Sequence, residues 1–320
     1  MLIHLLLIVV GLAALLCAGE LLVRGAVALA KLLNIPSLLV GLTVVAFGTS
    51  APELFVTVQA VLSGDNGIAM GNIVGSNIAN ILLVLGVPAI VSAISLATPK
   101  LGRHAVVMLL ATGVFCGFVY LGGAIDLRAG LVMLALIAAY VVAIGIAAAR
   151  SNGDTELMAE VEEYGETASS KWKTPLYLVA GLIGLPLGAD LLVDNGAAVA
   201  TDLGVREEVI GLTIVAFGTS LPELATVFAA ALKREADVAV GNILGSNVFN
   251  LLFVGGVAGL VGTSTFSHTA LLYDLPVMIV TAIVLAALVF AGGRIGRILG
   301  IAFTAAYVAY IVFLGTGGAA

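Results

Sequence analysis

The sequence predicts an all-α integral membrane protein: ten transmembrane helices in two inverted five-helix repeats, with broken helices at mid-membrane. Three observations carry that prediction. The 320-residue chain is 61% hydrophobic and 10% charged, against roughly 45–50% and 25% in soluble domains, and an apolar excess this large has to face lipid. The chain is written twice at a constant offset of 170 positions, which carries Gly41 onto Gly211, Glu53 onto Glu223, Gly71 onto Gly241 and Asn80 onto Asn250. The basic residues gather on one side of the helices so arranged.

A bilayer core needs about 20 apolar residues per helix, and the runs and their breakers place the spans in order. The first, near 2–23, begins "MLIHLLLIVVGLAALLCAGE". It lacks the positively charged start of a signal peptide, and leucines rather than small residues precede Cys17, so it reads as a retained helix. Asn34-Ile35-Pro36 separates it from a second span near 37–62. The turn Ser63-Gly64-Asp65-Asn66-Gly67 leads to a third near 67–93, Thr98-Pro99-Lys100 to a fourth near 103–122, and Gly122-Gly123 to a fifth near 129–149. The loop 150–173 carries Asp154, Glu156, Glu160, Glu162, Glu163 and Glu166. It lacks the alternating ligands and glycine of an EF-hand and reads as a solvated linker. The second set of spans lies near 174–194, 207–232, 237–262, 273–291 and 299–317. The organisation is thus a first repeat, 1–149, a linker, 150–173, and a second repeat, 174–320.

Five helices is an odd number, so the second repeat enters the membrane from the opposite side, and a pseudo-two-fold axis lies in the membrane plane, as in many secondary transporters. One face then holds Arg24, Lys31, Lys100, Arg103, Arg150, Lys171, Lys173, Lys233, Arg234, Arg294 and Arg297, and the other only Arg128 and Arg206. Basic residues accumulate in the cytoplasm. Both termini are therefore expected outside and the 150–173 loop inside.

The stretches "GLTVVAFGTSAPEL" (41–54) and "GLTIVAFGTSLPEL" (211–224) agree at 12 of 14 positions. Each puts a glutamate near the bilayer midplane, where a charge costs about 2.5–3.5 kcal/mol even on the lenient insertion scale. Thr49 and Glu53 are i, i+4, Ser50 and Glu53 are i, i+3, and Ser76 and Asn80 are i, i+4, so each set shares one helix face. Thr219, Ser220, Glu223, Ser246 and Asn250 repeat the pattern. Pro52 cannot donate to the Gly48 carbonyl, and carbonyls from Ala46 to Thr49 are expected to be freed, which is tolerated at this depth only where they line a cavity. Pro222 repeats this around Ala216. Gly71, Gly75, Gly241 and Gly245 would let helices approach closely or break them at the site.

Every atom in this set is a hard oxygen, suited to Na⁺, Ca²⁺ or H⁺ rather than a soft metal. The two carboxylates carry −2, which one Ca²⁺ or two protons neutralise, while three Na⁺ would leave +1. The loaded forms can cross, and the empty charged form is costly in a dry barrier, which enforces antiport. No lysine or arginine lies at mid-depth to make a structural ion pair. Glu20 and Arg24 read as an interfacial i, i+4 pair, and His4, His104 and His268 fall near span ends. No basic stripe suggests nucleic acid, and Cys17 and Cys116 make no disulfide framework. An intramembrane hydrolase would need an acid dyad or a Ser–His pair. Two glutamates could imitate a dyad, but no histidine joins Ser50 or Ser220, and a four-part oxygen shell repeated two-fold has no use in such an enzyme; no enzyme and no cofactor is expected. A channel would need a continuous pore.

These motifs, with "GNIVGSNIANIL" and "GNILGSNVFNLL", resemble the two alpha-repeats of the calcium/cation antiporter superfamily, in its prokaryotic sodium/calcium exchanger branch. The resemblance implies Ca²⁺ extrusion in exchange for Na⁺ across a prokaryotic inner or plasma membrane, with H⁺/Ca²⁺ exchange as the alternative. It implies calcium on Glu53 and Glu223 and the backbone carbonyls of Thr49 and Thr219. It implies sodium sites among Ala46, Ser50, Ser76 and Asn80, and among Ala216, Ser220, Ser246 and Asn250. It further implies that the first and sixth helices slide against the remaining bundle. Small cations and lipid are the expected partners. Some relatives carry aspartate where this chain has Asn250, so a third carboxylate is absent here.

Overall fold

The computed structural model describes residues 2–33, 35, 37–97, 101–150, 172–202, 216–268 and 270–315. In order they form α1 (Leu2–Leu33), α2 (Ser37–Thr49), α3 (Ala51–Leu62), α4 (Asn66–Val91), α5 (Leu101–Gly122) and α6 (Leu127–Arg150). The second half supplies α7 (Lys173–Asp202), α8 (Ala216–Thr219), α9 (Leu221–Leu232), α10 (Ala236–Val261), α11 (Ala270–Phe290) and α12 (Arg297–Gly315). Among the described residues eight helices are long and apolar enough to cross a membrane, and nine spans result if α2 and α3, which meet at 41°, count as one. The predicted span 207–232 is described only from Ala216 onward, and the predicted acidic linker lies outside the described residues from 151 to 171.

Four two-residue strands, β1 (Ile94–Ser95), β2 (Ala124–Ile125), β3 (Ser264–Thr265) and β4 (Arg294–Ile295), follow α4, α5, α10 and α11. They make two antiparallel ladders, pairing Ile94 with Ile295 and Ile125 with Ser264. The repeat offset carries one ladder onto the other. Each joins a strand of one half to a strand of the other, so the two-fold relation holds in backbone pairing as well as in sequence.

Helix ends differ from the sequence expectation mainly at α1 and α7, which run on to Leu33 and Asp202 rather than stopping near 23 and 194. Arg24 does not end α1, because its guanidinium donates to Glu20 one turn earlier. Glu20 also accepts from Lys233 at 3.1 Å, which ties α1 to the turn after α9. Both partners of that link are about a third or more exposed, with side chains 31% and 44% accessible, so solvent screens it. Lys233→Met should cost less than about 1 kcal/mol. The loss should fade in high salt, as thermal melts at two ionic strengths would show.

The buried apolar side chains form two clusters. The larger fills the bundle of α4, α5, α10 and α11 with parts of α2, α3, α6 and α9. The smaller joins Leu15, Ala18 and Leu22 of α1 with Leu185 and Ala189 of α7, and reaches Val45 of α2 and Ala225 of α9. The two long helices lie against each other at glycine distance: a Cβ on Gly181 would stand 2.6 Å from Leu22 Cβ. Their outer faces are apolar and open, with Leu2 74% exposed. Water would not wet such a surface favourably, whereas lipid solvates it without cost. The chain is an integral membrane protein.

Candidate cation-binding site

The site is built where helices break. Pro52 has no N–H to give, and Ser50, at φ −82° and ψ 6°, separates α2 from α3. Pro222 acts in the same way, with Ser220 at φ −85° and ψ 1° between α8 and α9. Each break starts a new helix with its glutamate in the first turn, Glu53 in α3 and Glu223 in α9. The positive end of each helix dipole thus lies at a carboxyl. The expectation of freed carbonyls needs one correction: the Ala46 carbonyl accepts from Ser50 N at 3.1 Å and from the Thr49 hydroxyl at 3.4 Å. A carbonyl has two lone pairs, and the kink at Ser50 keeps the backbone bond intact.

Helices α4 and α10 supply the other walls. Each carries a π turn, Asn80–Val84 in α4 and Phe249–Val254 in α10. One residue too many per turn rotates the following side chains, and such bulges mark functional positions in many helices. Asn80 opens the first of these turns, and Asn250 lies second in the other. Gly245 lets α10 close on α2, since a Cβ there would lie 2.6 Å from Ala46 Cβ. Gly71 and Gly75 do not show the same close packing. Nothing described lies within 4 Å of a Cβ on either; the repeat images of Leu38, Gly41 and Leu42 fall at 208, 211 and 212, outside the described residues, and that of Ala46 is Ala216, whose side chain is also outside them.

The predicted residues of both repeats come together. Thr49, Ser50, Glu53, Ser76, Asn80, Thr219, Ser220, Glu223, Ser246 and Asn250 are all buried, and both glutamates are 0% exposed. The contacts cross from repeat to repeat. Thr49 Oγ1 donates to Asn242 Oδ1 at 3.2 Å and lies 3.5 Å from Ser246 Oγ. Ser50 Oγ is 3.5 Å from Glu223 Oε1. Asn80 Nδ2 donates to Asn247 Oδ1 at 3.1 Å, and Thr219 Oγ1 donates to Asn72 Oδ1 at 3.4 Å. Ala216 starts α8, and its side chain lies outside the described residues.

Four buried or half-buried asparagines, Asn72, Asn77, Asn242 and Asn247, were missed by the sequence reading. Asn72 precedes Ser76 by four, on the stripe that carries Ser76 and Asn80, and Asn242 precedes Ser246 in the same way. That spacing was the available signal.

The electrostatics are one-sided. Among the described residues neither oxygen of Glu53 has a hydrogen-bond donor, and neither does Glu223 Oε2. Asn77 Oδ1, Asn80 Oδ1, Asn250 Oδ1 and Ser220 Oγ are likewise buried without a partner among the described residues. Among the described residues no lysine or arginine is buried. An uncompensated buried carboxylate costs several kcal/mol. This group of acceptors therefore demands positive charge, and its hard oxygens suit a hard cation.

The sodium/calcium exchanger protein family matches residues 3–145 and 173–316, nearly the whole of both repeats. The putative antiporter CaxA of Alkalimonas amylolytica is 35% identical over 97% of this chain and 98% of its own length. The sodium/calcium exchanger MaX1 of Methanosarcina acetivorans is 30% identical over 98% of both chains. A solved structure of the sodium-calcium exchanger NCX_Mj, soaked with Na⁺ and Sr²⁺, superposes with a TM-score of 0.83 at 30% identity, covering 97% of this chain and 98% of that one. With the duplicated motifs, the broken helices and the buried acceptor cluster in place, this chain belongs to the sodium/calcium exchanger protein family.

Proposed function

We propose that this protein is a secondary antiporter that exchanges Na⁺ for Ca²⁺ by alternating access. The observation that carries the reading is the pair of fully buried glutamates from opposite repeats, with three carboxylate oxygens that have no hydrogen-bond donor among the described residues. Calcium takes about 6–8 oxygens in a flexible shell. Glu53 and Glu223, each bidentate, and the backbone carbonyls of Thr49 and Thr219 would supply six. Sodium would use Ala46, Ser50, Ser76 and Asn80 on one side, and Ala216, Ser220, Ser246 and Asn250 on the other.

The charge balance gives the coupling. One Ca²⁺ or two monovalent cations neutralise the carboxyl pair, so a loaded site can pass a dry barrier and a bare one cannot. A third Na⁺ would make exchange sensitive to voltage. The units that move would be α1 and α7, against a bundle that keeps the site. The family and its named relatives favour Na⁺ as the driving ion. The glutamates alone would serve H⁺ equally well. In this reading both termini face outward, the linker 150–173 is cytoplasmic, and the repeats are 1–149 and 174–320.

The test is isotopic calcium flux in proteoliposomes with Na⁺, K⁺ and H⁺ gradients varied one at a time. A Na⁺ gradient alone, with the pH gradient collapsed, should drive calcium against its own gradient. Calcium movement that follows only the pH gradient would replace Na⁺ with H⁺. Flux with no counter-ion dependence would remove the antiport reading.

A further inference from the structure

We propose that Asn72 is a positioning residue that sets the width of the cation site, with Asn242 as its weaker counterpart in the second repeat. The proposal deepens the reading above and rests on it only for the identity of the cation.

Asn72 uses both ends of its amide on opposite halves of the protein. Its Nδ2 donates to the Glu53 backbone carbonyl at 3.0 Å and to Thr57 Oγ1 at 2.9 Å. Its Oδ1 accepts from Thr219 Oγ1 at 3.4 Å. The orientation is fixed by chemistry, because a backbone carbonyl can only accept and must face the NH₂ end. One side chain on α4 therefore joins the turn that carries the Glu53 carboxyl to the threonine at the break before Glu223. Those two points lie on opposite walls of the site, in different repeats.

The same contacts orient the hydroxyls. A hydroxyl has one proton and two lone pairs. Thr219 directs its proton to Asn72 Oδ1, and Ser76 directs its own to the Asn72 backbone carbonyl at 2.6 Å. In the other half Thr49 and Ser246 both donate to Asn242 Oδ1, at 3.2 and 3.4 Å. Thr219, Ser76 and Ser246 thus turn their protons to the residue at 72 or 242, which leaves lone pairs for a cation, while Thr49 Oγ1 lies within reach of both Asn242 Oδ1 and the Ala46 carbonyl. Ser50 and Ser220 stand outside this pattern: Ser50 Oγ approaches Glu223 Oε1 at 3.5 Å, the outer edge of a hydrogen bond, and Ser220 Oγ has no partner among the described residues.

The two asparagines are not equal. Val227 stands where the first repeat has Thr57, and Asn242 Nδ2 has no partner among the described residues. Asn72 is anchored at both ends and Asn242 at one. Loss of Asn72 should therefore widen the site more than loss of Asn242.

Widening has a readout that general destabilisation lacks: discrimination between Ca²⁺ and the larger Ba²⁺. Calcium and barium binding to detergent-purified full-length protein, measured by titration calorimetry, is independent of sodium coupling. Asn72→Ala should weaken calcium binding by about 2- to 12-fold, the worth of one neutral hydrogen bond, and barium binding by less, so that the Ba²⁺/Ca²⁺ ratio of dissociation constants falls. Thr219→Val should do the same, Thr219→Ser should not, and the double variant Asn72→Ala/Thr219→Val should be no worse than the stronger single one. An unchanged ratio in Asn72→Ala, or additive losses in the double variant, would overturn the proposal. If Asn72→Ala does not fold, the comparison of Thr219→Val with Thr219→Ser decides from the other end of the same bond. Wild-type protein that binds calcium without exchanging it for Na⁺ would sink the antiport reading and leave this test standing. Wild-type protein that binds neither cation would end both.

Discussion

Glu53→Gln and Glu223→Gln should each abolish sodium-dependent calcium flux in proteoliposomes while leaving a folded protein. The substitution keeps the shape of the side chain. It removes one of two negative charges and replaces an acceptor with an NH₂ whose protons face the cation. Both positions are fully buried, so water cannot restore the lost ligand. Breaking a buried charge pairing costs about 3–5 kcal/mol, which is roughly two to four orders of magnitude in affinity. Stability should move the other way. In calcium-free buffer each variant removes a fully buried carboxyl whose charge no cation offsets, so each variant should melt no lower than wild type. The rise in melting temperature that calcium gives wild type by binding the folded state should vanish. A variant with wild-type flux would exclude that glutamate from the site.

The sequence made the breaks and the glutamates legible because their causes are local. Pro52 lacks a donor wherever it stands, and the kink at Ser50 follows from that. The repeat was legible because an offset of 170 with 12 of 14 matches leaves no other reading, and the paired ladders of β1 with β4 and β2 with β3 follow the same offset. What the sequence hid was relational. Nothing in "GNIVGSNIAN" says that Asn72 bonds Thr219 in the other half. That partnership exists only once the two repeats have been folded against each other. The π turn at Asn80 was hidden for a different reason: i, i+4 spacing assumes a regular helix, and the extra residue in that turn comes from tertiary packing. The Glu20–Arg24 pair was legible from its i, i+4 spacing, but the predicted first span ends there, near 23, whereas α1 runs on to Leu33, just before Asn34-Ile35-Pro36.

Gly19→Val should slow exchange by about 10- to 100-fold while calcium binding to the purified protein stays near wild type. Gly19 lies on α1 where that helix meets α9, and a Cβ there would stand 2.8 Å from the Ala225 carbonyl oxygen and 2.9 Å from its carbon. Both obstacles are backbone, so no side chain can rotate aside, and α1 has to lift off α9. Overpacking of this kind costs about 1–3 kcal/mol, and each 1.36 kcal/mol on a barrier is tenfold in rate. Where that cost falls depends on what α1 does. If α1 and α7 slide across the bundle during each cycle, the added methyls obstruct the passage as well as the resting position, and turnover suffers more than binding. A static α1 would instead pass the strain to α9 and Glu223, and affinity would fall with rate. Gly113→Val is the control, since nothing described lies within 4 Å of a Cβ at that position on α5. It should leave both turnover and binding unchanged. Equal losses of affinity and rate in Gly19→Val would mean that α1 supports the site without moving past it, and the alternating-access reading would need a different mobile element.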